Sequence, residues 1–125
     1  MKQLSVFLEN RPGTMNEALK ILKNAGVNIS ALSVADTSEF GLLRLIVDDP
    51  DKAKKAMKEA GYTSSLNDVL DVDLKQEIGF LSDIIEKISA AGINIEYMYA
   101  SSSSSSQASI IIKTDDLEKT AEVIG

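Results

Sequence analysis

The residues best placed to do chemistry form the segment Asn10-Arg11-Pro12-Gly13-Thr14-Met15, where an alternating apolar stretch gives way to helical periodicity. A turn that opens a helix presents backbone N–H groups with no intrahelical partner and carries about half a positive charge, so a carboxylate is stabilised there. Gly13 has no Cβ to hinder a ligand's approach, and Pro12 stiffens the turn. The side-chain oxygen of Asn10 can accept from an ammonium, and Arg11 adds cationic attraction. The competing reading is that Pro-Gly is simply a strand-to-helix turn. Both readings stand on the residues alone.

Other chemistries are poorly served. The 125 residues contain no His, Cys or Trp. The commonest general base near neutral pH, the thiolate nucleophile and the usual zinc ligands are therefore missing, and an enzyme is not expected. Asp48-Asp49-Asp51 and Asp115-Asp116-Glu118 could chelate a hard cation. Each stands where a helix starts, however, and acids there need no metal to explain them. No cofactor and no metal are expected. Residues 1–68 carry nine Lys/Arg against nine Asp/Glu, and residues 69–125 carry four against ten, so the net charge of −6 belongs to the second half. That balance argues against nucleic acid and anionic membrane surfaces. No apolar run approaches the ~20 residues of a membrane span, and the start Met1-Lys2-Gln3 has no secretory pattern; the expected location is cytoplasmic.

The elements that hold the Gly13 turn occur twice. Shifted by 66 residues, Val6 falls on Val72, Leu8 on Leu74, Gly13 on Gly79, Met15 on Leu81 and Leu22 on Ile88. Ala25-Gly26-Val27-Asn28-Ile29 falls on Ala91-Gly92-Ile93-Asn94-Ile95, and after one extra residue Asp48-Asp49-Pro50-Asp51-Lys52 falls on Asp115-Asp116-Leu117-Glu118-Lys119. The chain therefore reads as two domains, residues 1–68 and 69–125.

Each copy predicts strand, helix, strand, strand, helix. Leu4, Val6 and Leu8 alternate as in a half-buried strand, and Met15, Ala18, Leu19 and Leu22 form an amphipathic stripe that reads as core. Gly26 caps that helix, and Asn28 to Ala35 and Leu42 to Val47 are strands joined by a turn at Ser38-Glu39-Phe40-Gly41. A helix opens near Asp49, and Tyr62 to Asp68 returns as a fourth strand. The second copy has strands at Val69 to Leu74, Ile95 to Ala100 and Ser109 to Thr114. Its helical stripe is Leu81, Ile84, Ile85 and Ile88, and a last helix begins near Asp116. Ser101 to Ser106 reads as a solvated hairpin loop. Gly125 comes before any equivalent of Tyr62 to Asp68, so the second copy is expected to lack its last strand. That leaves Val69 to Leu74 as a sheet edge open to another chain, and a homodimer is expected. A partner protein or a chain shortened at Gly125 would account for the same gap.

The Asn10-to-Met15 turn followed by Ala25-Gly26-Val27-Asn28-Ile29 resembles the ACT domain. The second copy, through Gly79, Ala91-Gly92-Ile93-Asn94-Ile95 and Tyr97-Met98-Tyr99, resembles another, with Ile78 where the pattern has proline. The resemblance implies an α+β fold of two tandem ferredoxin-like βαββαβ domains, with antiparallel sheets and helices on one face. It implies domains paired side by side through their second strands and an amino acid bound at the junction. The implied contacts are Asn10, Arg11, Pro12, Gly13, Thr14, Met15, Asn28 and Ile29, and in the second copy Gly79, Phe80, Leu81, Asn94 and Ile95. Glu77, where the first copy has Arg11, would oppose a carboxylate, so the first turn is the better anion site. Asn28 and Asn94 also read as residues tolerant of the backbone after each glycine cap. Tyr97 and Tyr99 share a strand face, with Met98 opposite, and suit a ligand pocket or ordinary packing equally.

Three other functions compete. RNA-binding domains of this strand order stack bases on aromatics of the central strands, which here offer only Phe7, and metallochaperones need paired cysteines. The stronger rival is an adaptor or regulatory subunit of a biosynthetic enzyme that binds no ligand of its own.

Overall fold

In the computed structural model, residues 1–36, 40–102 and 108–125 are described. They divide into two compact units, Lys2–Asn67 and Asp68–Gly125 with Met1. In the first unit the elements are β1 (Lys2–Glu9), α1 (Thr14–Asn24), β2 (Ile29–Asp36), β3 (Phe40–Val47), α2 (Pro50–Glu59) and β4 (Ser64–Asp68), and its sheet has the order β2-β3-β1-β4. In the second they are β5 (Leu70–Asp73), α3 (Phe80–Ala90), β6 (Ile95–Ser102), β7 (Ala108–Thr114) and α4 (Leu117–Ile124), and the sheet order is β5-β7-β6.

Alternation in β1 sends Leu4, Val6 and Leu8 to the helix side. Register carries them opposite Leu45, Leu43 and Gly41 of antiparallel β3. Onto them pack Ala18 and Leu22 of α1 and Ala53 and Met57 of α2, all buried. Full burial of each Leu, Val or Met among them stabilises the fold by roughly 1.5–3 kcal/mol. In the second unit Ile84 and Ile88 pack on Ile110 and Ile112 in the same way.

The four helices start in two manners. Asp49 precedes α2, and its carboxylate accepts from Lys52 N–H at 3.2 Å; Asp116 does the same for Lys119 at the head of α4, at 3.0 Å. The acidic segments thus serve as caps, and the described residues contain no cluster of side chains suited to a metal ion. Helices α1 and α3 begin instead at Gly13 (φ 90°) and Gly79 (φ 82°), both left-handed and without a side-chain cap.

Three expectations need correction. Met15 is 38% exposed and belongs to no core cluster, and its counterpart Leu81 is 36% exposed. Both lie one turn before the buried stripe residues, at the head of the helix beside the turn. Asn28 and Asn94 have no positive φ to tolerate. Their backbone N–H groups donate to the Asp48 and Asp115 carboxylates at 3.0 and 3.1 Å, tying the start of the second strand of each unit to the end of the third. Ser101 and Ser102 are not loop but the end of β6, paired with Ser109 and Ala108; the rest of the serine run, like Ser38 and Glu39, lies outside the described residues. A strand ladder bonds through backbone, so serine can extend it where no side chain must pack.

β5 stands at the edge of its three-stranded sheet, where the second copy has no fourth strand among the described residues. No described helix is long and apolar enough to cross a membrane.

Candidate functional site

The Gly13 turn is built by the end of β1 and the head of α1. Arg11 N–H donates to the Glu9 carbonyl at 2.9 Å, and the Thr14 hydroxyl, buried beneath, donates to the carbonyls of Glu9 and Arg11 at 3.0 and 3.2 Å. The turn is thereby closed from inside, with its carbonyls engaged inward. A cavity of about 270 Å³ opens beside it on the β2 side. Asn10, Arg11, Gly13, Thr14 and Met15 line it, together with Val34 of β2 and Gly41 of β3. Pro12 is exposed at the crest of the turn, outside the lining.

Arg11 does not stand free over this cavity. Its Nε donates to Glu9 Oε2 at 3.1 Å, and its terminal nitrogen lies 3.6 Å from Glu17 Oε2. The bond to Glu9, helped by the Glu17 charge, raises the guanidinium further above its usual pKa. Glu17 in turn accepts from the Tyr62 hydroxyl at 2.8 Å, and that bond, with burial second, raises the tyrosine's pKa. Sequence reasoning missed this network because polar contacts follow no periodic pattern, and because Tyr62 reaches Glu17 across 45 residues. With Arg11 so engaged, the main electropositive feature facing the cavity is the uncapped head of α1.

Asn28 and Ile29 are not brought to this turn within their own unit. Ile29 pairs with Val47 and Leu8 with Gly41, so they occupy opposite ends of the sheet, and five strand steps separate Ile29 from Val34, about 16 Å. Asn28 and Ile29 line a different depression, with Leu19, Lys23 and Gly26.

The second turn repeats the backbone but not the closure. Glu77 N–H donates to the Lys75 carbonyl at 2.9 Å, as Arg11 does to Glu9. Phe80 replaces Thr14, however: its backbone N–H still donates to the Glu77 carbonyl at 3.2 Å, but its side chain has no hydroxyl for the turn's carbonyls, and its ring lies 5.9 Å from Lys75 Nζ. Gly79, Phe80 and Leu81 line an open depression with Glu77 and the fully exposed Ile78. Asn94 and Ile95 do not take part in it. Tyr97 and Tyr99 stack with centroids 6.4 Å apart.

Two βαββ units with glycine-headed first helices define a tandem ferredoxin-like fold. The match of the ACT domain pair family to residues 1–125 places the chain in that family. Protein BT0572 from Bacteroides thetaiotaomicron is similar in structure, with TM-score 0.89 and 38% identity over 98% of this chain and 85% of that one. The ligand-free regulatory subunit of aspartate kinase from Thermus thermophilus shares the fold at TM-score 0.67 and 17% identity, over 98% of this chain and 89% of that one. Its Thermus flavus counterpart does so at 0.65 and 17%, over 98% and 89%. No curated protein sequence matches the chain.

Proposed function

We propose that this chain is a non-catalytic, cytoplasmic regulatory protein that binds a free amino acid at the Gly13 turn. The observation that carries the reading is the uncapped head of α1, which opens beside a cavity while its sister helix α2 is closed by Asp49. The ligand carboxylate takes the Met15 and Asn16 amides, since Thr14 N–H already donates to the Arg11 carbonyl and Glu17 N–H to that of Gly13, and the ligand ammonium takes the Asn10 side-chain oxygen. Met15 and Val34 supply apolar contact. The cavity is small and open, so an adjoining ACT unit completes the site, as the family resemblance implies, and a homodimer forms through the second strands. Leu32 and Val34 support that pairing, since both are about half exposed on the helix side of edge strand β2.

The second turn is the weaker site, because Glu77 repels a carboxylate and Phe80 lacks the hydroxyl that ties down the first turn's carbonyls. The chain so built would regulate an enzyme of amino-acid metabolism. A thermal-shift screen against the twenty amino acids tests this. A ligand at a hundred times its dissociation constant stabilises by about 2.7 kcal/mol. At least one amino acid should raise the melting temperature. Uniform silence, with an enzyme co-purifying, would favour the second reading, an adaptor without a ligand, for which the exposed Leu32 and Val34 edge is the supporting feature.

A further inference from the structure

The Gly13 turn has a second side. Toward β4 lies a cavity of about 390 Å³, whose walls include the rings of Phe7, Phe40 and Tyr62, the carboxylates of Glu9 and Glu17, and Arg11. We propose that this cavity is a binding site for an organic ammonium, a primary amine carried on an apolar or aromatic body.

The charge of the lining selects the class. Two carboxylates face one guanidinium, so the walls carry an excess negative charge, and a carboxylate or phosphate ligand is repelled. The contacts from Arg11 and Tyr62 all fall on Oε2 atoms of the two glutamates, which leaves their Oε1 atoms to accept from an ammonium. The rings select the body. Phe7 and Phe40 are 47% and 52% exposed, an apolar area that a ligand's hydrocarbon would cover, and a cation near an aromatic face is attracted by the ring's quadrupole.

The duplication shows that the fold does not require these groups. At the 66-residue offset Phe7 becomes Asp73, Glu9 becomes Lys75 and Arg11 becomes Glu77. The second unit nevertheless forms the same strand, glycine turn and helix. Strand β4, which brings the Tyr62 segment to this side by a bond from Phe7 N–H to the Thr63 carbonyl at 3.0 Å, also has no equivalent among the described residues. The architecture is built twice and the aromatic, acidic cavity once.

The test uses the full chain and 2-phenylethylammonium, with 3-phenylpropionate and 2-phenylethanol as anionic and neutral controls, followed by amide NMR shifts. The ammonium should bind saturably at one site, moving the Tyr62 and Thr63 resonances, about tenfold or more tighter than either control. The double variant Glu9→Gln/Glu17→Gln should lose that preference, whereas Lys75→Gln in the second unit should keep it. Should the double variant unfold, the comparison of the three probes on the unaltered chain decides alone. Equal binding of the three, no saturation below about 10 mM, or an undiminished preference in a folded double variant would overturn the proposal. Because 2-phenylethylammonium carries no carboxylate, its failure would leave amino-acid binding at the Gly13 turn untouched.

Discussion

Asp49 Oδ1 accepts the backbone N–H of Lys52 at 3.2 Å, and so occupies at the head of α2 the kind of position that Gly13 leaves empty at the head of α1. The pattern recurs in the second unit, with Asp116 capping α4 and Gly79 heading α3. An aspartate cap exceeds a glycine at that position by only about a few tenths of a kcal/mol. The first helix of each unit thus forgoes little stability by beginning at glycine, and its leading amides are left without a side-chain acceptor.

Gly13 should be intolerant of a Cβ for backbone reasons alone. An added Cβ would meet no atom within 4 Å, but φ is +90°. Gly13→Ala should therefore cost about 1–2 kcal/mol in strain, lowering the melting temperature by about 4–8 °C per kcal/mol. Calorimetric melting of the variant measures this, and an unchanged transition would mean that the turn relaxes freely.

A buried polar pair in the second unit replaces an apolar one in the first. Thr114 Oγ1 and Thr120 Oγ1 lie 2.8 Å apart, both essentially inaccessible, where the first unit has Val47 and Ala53. Thr114 Oγ1 also accepts from Asp116 N–H at 3.2 Å and Thr120 Oγ1 donates to the Asp116 carbonyl at 2.7 Å, so each oxygen keeps one partner when the other is removed, and losing the shared bond costs about 0.5–1.5 kcal/mol. The double change Thr114→Val/Thr120→Ala approaches the first unit's solution. In a urea-unfolding cycle the double variant should cost about 1 kcal/mol less than the sum of the singles. Strict additivity would refute the coupling.

Alkaline pH should act through Tyr62. Its hydrogen bond to Glu17 holds the folded-state pKa above the ordinary 10.0. The neutral phenol therefore stabilises the fold fully below the unfolded-state pKa, and that contribution is lost as pH rises through the higher folded value. Absorbance titration of tyrosinate should show Tyr62→Phe deleting a component that ionises above the ordinary 10.0, together with part of the stability lost at high pH. Deletion of a component at or below that value would contradict the assignment.

The repeat and its two periodicities made the strand and helix order legible, because apolar alternation in Leu4-Val6-Leu8 and the Ala18–Leu22 spacing follow directly from which face is buried. What escaped was set by position along an element. Met15 fits the helical stripe yet lies before the turn that contacts the sheet core. The asparagines after Gly26 and Gly92 looked like backbone accommodations, yet it is their N–H groups that matter, bonding an aspartate twenty or so residues on. The Gly13 turn was visible because glycine and proline leave a local mark. The engagement of Arg11 by Glu9 and Glu17 was not, since polar pairing leaves no periodic mark even at short range, and Tyr62 reaches Glu17 from 45 residues away.

The claim that the first-turn amides of α1 receive a ligand carboxylate is tested most directly by titration calorimetry of the best-stabilising amino acid into the native chain and into Gly13→Asp. The native chain should show one strong site per chain, and Gly13→Asp, which sets a carboxylate where the ligand's would lie, should weaken it by about tenfold or more. Two equal sites per chain, or an affinity unmoved by Gly13→Asp in a folded protein, would contradict the account.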